Sequence, residues 1–160
     1  MRQLLTTGLL WLSAIGCGLI GGLYFAFSAF IMTALGRIDQ AAGIAAMNSI
    51  NVEIVRSLFM PVFLGTTLSC AVLVVMGLLR LNEPGAAAMI IGGTAYVIGM
   101  FVVTAVFNVP LNNALAAVQP SSAEAASLWA TYLKDWTFWN HARTVASLGA
   151  SVLFIAVLAS

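Results

Sequence analysis

Residues 4–35 read LLTTGLLWLSAIGCGLIGGLYFAFSAFIMTAL, and the way this stretch is taken decides the fold. It lies between Arg2 and Arg37 and contains no charged residue. A run of 18 or more apolar residues without charge reads as a transmembrane helix, because roughly 20 helical residues cross a hydrocarbon core of about 30 Å. Arg2 and the small residues before Cys17 have something of a signal peptide. The apolar run continues far past Cys17, however, beyond the roughly 7–15 residues of an h-region, so we read a span rather than a cleaved leader.

Working outward, the pattern repeats. Residues 57–79 and 84–123 carry no charge, and from Trp136 onward only Arg143 is a certain one. Charged residues make up 7% of the chain and hydrophobic ones 62%, whereas a soluble domain carries roughly 25% charged residues. The chain therefore lacks the side chains for a water-facing surface. These features predict an all-α integral membrane four-helix bundle, up-down-up-down, as one membrane domain over 1–160. Its expected spans are about 4–35, 54–80, 86–110 and 136–159, with short amphipathic helices in the loops after spans one and three. Membrane lipid is the first expected partner. A net charge of +1 offers no basic patch, so nucleic-acid binding is excluded.

Several local features refine this outline. Gly18 and Gly22 stand at GxxxG spacing, which suits packing within the bundle or a homodimer or higher oligomer through that face. Cys17 and Cys70 lie inside spans, far from any metal or redox spacing, and read as packing residues. Asn82, Pro84 and Gly85 mark a tight turn between spans two and three. Pro110 withdraws an amide from the third span and frees a carbonyl. Trp129, Trp136 and Trp139 fall where an interfacial aromatic belt is expected. One histidine and two distant cysteines do not supply the ligands of a protein metal site.

The polar side chains concentrate at one end of the expected bundle. Up-down topology brings Asn48, Asn51, Glu53, Arg56, Asn108, Asn112, Asn113, Asn140, His141 and Arg143 to the same face. Ionisable residues within spans are costly and mark functional sites. On the fourth helix, Trp136, Asn140, Arg143 and Ser147 share a stripe, whereas His141 and Arg143 are about 200° apart. They do not form a side-by-side dyad, and Arg143 with Asn140 is the expected inward pair. Asn51, Arg56 and Trp136 are candidate pocket residues beside them.

The segments AMNSIN, NVPLNNAL and WTFWNHARTVASL, in that order across four spans, resemble the anthrone oxygenase-like family of small membrane proteins. The resemblance implies an oxygenase that turns anthrone- or phenol-like aromatic substrates into quinones with molecular oxygen and no cofactor, and a home in the bacterial inner membrane. It also implies His141 as base, Asn108, Asn112 and Asn140 as amide donors to an oxyanion, and Arg143 as its counter-charge. Two alternatives stay open. His141 could be an axial ligand of haem b, with Arg143 or Arg56 on a propionate, or the protein could be a lipid- or small-molecule-binding or accessory membrane subunit.

Overall fold

The structure, a computed structural model, describes residues 2–159, Arg2 by its backbone alone. Helices α1 (Gln3–Leu35), α3 (Phe59–Leu78), α4 (Ala86–Ala117) and α5 (Ala123–Leu158) are each long and apolar enough to cross a bilayer. A further helix, α2 (Gln40–Arg56), connects the first two. No strand occurs among the described residues. α1 packs against α5 and α3, α3 against α4, and α4 against α5. Each of these four helices thus lies beside its neighbours in sequence and the ring closes, giving the four-helix bundle that the charge-free runs imply.

Helix length explains how the bundle is built along its axis. α3 has 20 residues, about 30 Å at 1.5 Å per residue, which matches the hydrocarbon core. α1, α4 and α5 have 33, 32 and 36 residues, or about 50 Å. The surplus falls at one end, because at the other end residues 79–85 form the tight turn between α3 and α4, where Arg80 reaches Thr6 of α1 (3.5 Å). At the surplus end α2 joins the overhanging helices around a second apolar core of Ile44, Met47, Leu115, Trp129, Tyr132 and Trp136. The first core, around Cys17, Cys70, Leu73, Tyr96, Met100 and Phe154, lies within the span of α3. The two thiols are buried and free, with sulfurs 3.7 Å apart.

Three boundaries differ from expectation. The second span starts at Phe59 rather than 54, because the chain turns extended at Ser57, whose hydroxyl donates to the Ile54 carbonyl (2.8 Å) and accepts from the Phe59 amide (3.1 Å). The third runs through Pro110 to Ala117 instead of ending at 110. Pro110 falls directly after a π turn, Thr104–Asn108, where the hydrogen-bond ladder is already changing period and a missing amide disturbs it least. The separate short helix expected before span four is instead the start of α5. Ser122 caps it through the Ala125 amide (3.1 Å). Lys134 and Asp135 do not interrupt it, since this portion belongs to the overhang.

Close helix approach rests on glycines other than the expected pair. A Cβ on Gly18 would touch Ser151 of α5 at 3.4 Å, whereas one on Gly22 would meet nothing within 4 Å. Tight contacts include Gly16 against Thr66, Gly21 against Leu148, Gly99 against Ala146 and Gly93 against the Cys70 carbonyl (2.6 Å to an added Cβ). Backbone cannot yield there as a side-chain tip can. Gly93→Ala is accordingly expected to lower stability by about 2 kcal/mol, and Gly22→Ala to change it by less than about 0.5 kcal/mol, as read by thermal unfolding in detergent.

Candidate functional site

Where the two cores meet, all five helices enclose a cavity of about 280 Å³. Most of its wall is apolar: Phe27 from α1, Met47 and Ile50 from α2, Phe59, Met60 and Phe63 from α3, and Phe101 and Val109 from α4. Tyr24, Asn51, Thr104, Asn112, Trp136 and Arg143 supply its polar atoms. Apolar pockets with a few convergent polar groups are the usual form of a small-molecule site.

Arg143 sets the chemistry. It is 2% exposed, and among the described residues no carboxylate pairs with it. The ion pairs among the described residues, Arg56 with Glu53 and Arg80 with Glu83, lie elsewhere. Its guanidinium sits between the Tyr24 ring (4.1 Å from the centroid) and the Trp136 ring (4.9 Å). One terminal nitrogen donates to Asn140 Oδ1 (2.8 Å) and the other to Thr104 Oγ1 (3.4 Å), while Nε has no partner. Desolvated cation–π contacts are worth about 2 kcal/mol each, and hydrogen bonds from a charged group about 1.5–3 kcal/mol. These interactions offset burial of the charge without cancelling it. A buried cation with donors to spare, at the wall of a cavity, is arranged to receive an anion.

The surrounding backbone explains how Arg143 is held. Asn140, one turn earlier on α5, donates from Nδ2 to the Tyr24 carbonyl and to Ser28 Oγ, both at 2.7 Å. Tyr24 and Ser28 flank the start of a π turn in α1, Phe27–Ile31, where the change of ladder period lets a carbonyl accept from outside its helix. Two more π turns, Val97–Val102 and Thr104–Asn108, lie in α4 opposite the cavity's polar end. Thr104 donates to the Met100 carbonyl (2.7 Å), which fixes its oxygen towards Arg143. Asn112 Oδ1 accepts from Tyr132 Oη (2.8 Å) and Trp136 Nε1 (2.9 Å), so its amide nitrogen is oriented away from them. Asn51 Nδ2 lacks a hydrogen bond of ordinary geometry, with the Tyr132 hydroxyl its weaker neighbour.

The predicted cluster separates into four groups. Asn51, Asn112, Trp136 and Arg143 line the cavity. Asn140 and Asn108 are buried behind it, Asn108 donating to the Trp136 carbonyl (3.2 Å). Asn48 is half-buried and donates to the Leu115 carbonyl (3.5 Å). His141, Arg56, Glu53 and Asn113 are exposed and take no part in the cavity. His141, the base that the resemblance implies, does not line this cavity: helix geometry turns the ring outward while Asn140 and Arg143 face in. The same placement keeps its imidazole out of the cavity wall. Arg56 pairs at the surface with Glu53 (3.8 Å) and does not line the cavity. His141→Ala is expected to leave ligand binding and turnover within about twofold of wild type, checked side by side in the same membranes.

Tyr24, Phe27 and Thr104 escaped the sequence reading, since nothing in an apolar run marks which face turns inward. Two of the three tryptophans expected in a belt, Trp129 and Trp136, are instead buried, in a stack with Tyr132 between them (5.6 and 5.9 Å between centroids). The third, Trp139, is half-buried and stacks on Phe107 (3.7 Å).

The family model described as anthrone oxygenase matches residues 53–153, more than half of the chain. The chain belongs to the anthrone oxygenase family. The matched segment carries Thr104, Asn112, Trp136, Asn140 and Arg143, while Tyr24 and Asn51 come from the part before it. No curated protein and no solved structure matches the chain. As a member of the anthrone oxygenase family with four helices able to span a bilayer, the protein is a membrane-type, oxygenase-like protein.

Proposed function

We propose that the protein oxidises an acidic, fused-ring aromatic substrate of the anthrone or phenol class, held as its oxyanion against Arg143. The observation that carries this reading is the unpaired, buried guanidinium facing an apolar cavity. An enolate or phenolate is a flat apolar anion, and this cavity joins a cation to a wall of aromatic rings. Arg143 stabilises the anion relative to the neutral ketone or phenol, which raises the substrate's acidity in place. Asn112, its amide nitrogen turned from Tyr132 and Trp136, lines the cavity as a donor to the oxygen, whereas the Thr104 hydroxyl proton is held by the Met100 carbonyl. The electron-rich ring carbon of an enolate can pass electrons to molecular oxygen, and loss of water then leaves a carbonyl. The balance is anthrone plus one O2 giving anthraquinone plus one H2O.

The cavity wall presents no carboxylate or imidazole, so the acid strength of the bound substrate, set by Arg143, does the work that a general base would otherwise share. The test is oxygen uptake by the protein in nanodiscs supplied with an anthrone, followed together with quinone absorbance. One O2 consumed per quinone formed, above protein-free nanodiscs, is expected. No excess over the lipid control would overturn the reading.

A further inference from the structure

The cavity is polar inside and apolar at its rim, and the rim opens sideways. Arg143, Trp136 and Tyr24 at its inner end are 2, 3 and 5% exposed. Leu64 of α3, Val109 of α4 and Val55 at the end of α2 also line it, yet are 50, 41 and 57% exposed, and Ala105 is exposed too. α3 and α4 pack against each other, so the opening lies on the flank of the bundle, at the depth of the first turns of α3. That flank faces acyl chains. Towards the overhanging end the wall is tighter, since Met47 and the Trp129–Tyr132–Trp136 stack are buried there.

Inside the opening, Phe59, Phe63 and Phe101 stack in sequence (5.5 and 5.7 Å between centroids), and Tyr24 meets Phe59 edge-on at 6.1 Å. The result is an aromatic wall leading from lipid to the guanidinium. A volume of about 280 Å³ is at or below the lower end of the range that encloses a drug-sized ligand, about 300–1,000 Å³. An amphiphile bound here keeps part of its body outside.

We propose that the ligand loads laterally from the bilayer between α3 and α4, acidic end first, so that its oxyanion meets Arg143 while an apolar extension trails through the gap into lipid. The occupant is a membrane-dissolved phenol or enol with an alkyl or ring extension. This rests on Arg143 as the anion anchor of the proposed function, but not on any reaction with oxygen.

The experiment compares two probes that carry no oxidisable methylene flanked by a ketone: 4-nitrophenol, and 2-dodecyl-4-nitrophenol premixed into nanodisc lipid. Phenol and phenolate absorb at different wavelengths, so binding at Arg143 is read as phenolate at a pH where protein-free nanodiscs hold the phenol. Wild type is expected to bind both. Leu64→Trp and Ala105→Trp, each filling the gap from an exposed position, are expected to weaken the dodecyl probe at least tenfold and 4-nitrophenol less than threefold. Leu68→Trp, one turn along the lipid face and outside the cavity, changes neither.

Equal losses for the two probes, unchanged dodecyl binding in both rim variants, or no phenolate in wild type would each overturn the proposal. A second readout needs no variant: an alkyl-diazirine form of the dodecyl probe should crosslink to residues 59–64 and 105–109 of wild type, and labelling confined elsewhere overturns it. The outcomes separate cleanly from those of the oxygen assay. The selective binding pattern without oxygen uptake sinks the reaction and keeps the access route, whereas uptake with no rim effect does the reverse.

Discussion

Arg143→Met is expected to lower oxygen-dependent turnover by about 100-fold or more while leaving the protein folded and no more than about 1 kcal/mol less stable. The two halves of this expectation have one cause. The guanidinium is buried without a carboxylate, so its desolvation is only partly returned by two aromatic rings and two hydrogen bonds. Methionine removes the cost of a buried charge that lacks a counter-ion, and this offsets the loss of about 1–3 kcal/mol from leaving Asn140 Oδ1 without its donor. Methionine also keeps contact with the Tyr24 and Trp136 rings.

Activity behaves differently. Removing a preorganised donor to a developing oxyanion costs about 100- to 1,000-fold in rate, and here the donor also carries the counter-charge. Arg143→Lys retains the charge but loses the planar fork, and is expected to fall between wild type and the methionine variant. Thermal unfolding beside oxygen uptake on the same preparations checks both. A methionine variant that unfolds would mark Arg143 as a structural residue, and one that turns over normally would remove it from the site.

Asn140→Leu is expected to be the opposite kind of change, costing about 3 kcal/mol of stability as well as activity. Asn140 bridges α1 and α5 through the Tyr24 carbonyl and Ser28, and it holds one end of Arg143. Leucine leaves a backbone carbonyl and a hydroxyl without their donor, and takes a neutral acceptor from a buried charge. Each such loss costs about 1–3 kcal/mol. Interhelical hydrogen bonds inside membranes average less, about 0.6 kcal/mol, so most of the effect should come from the uncompensated guanidinium. The double variant with Arg143→Met tests that assignment, because the second substitution should recover about 1–2 kcal/mol. Simple additivity would show that Asn140 acts through α1 alone.

The inward pairing of Asn140 with Arg143, and the outward turn of His141, followed from a 100° step per residue in a regular helix. That arithmetic works because α5 is regular through this segment. It fails on α1 and α4, where three π turns shift the register of every residue beyond them. Thr104, beyond the first π turn of α4, could not have been assigned to the site by counting, and Tyr24, in the regular part of α1, escaped because nothing in an apolar run marks its inward face. Arg56 and Glu53, three residues apart on a helix, form a surface ion pair. Their spacing placed them near the site, but helix α2 turns them outward at its end, where water satisfies them at no cost.

The sequence by itself determined that the chain crosses a bilayer four times, because length and the absence of charge are enough to decide transfer into hydrocarbon. It determined as well that polar residues gather at one end, since up-down connectivity leaves no other arrangement. Only the tertiary structure decided which of them form the site. Solvation of an arginine depends on what surrounds it in three dimensions, and Arg143 and Arg56 look alike along the chain. One is enclosed by two rings and an asparagine at the wall of a cavity, and the other stands in the open beside a glutamate.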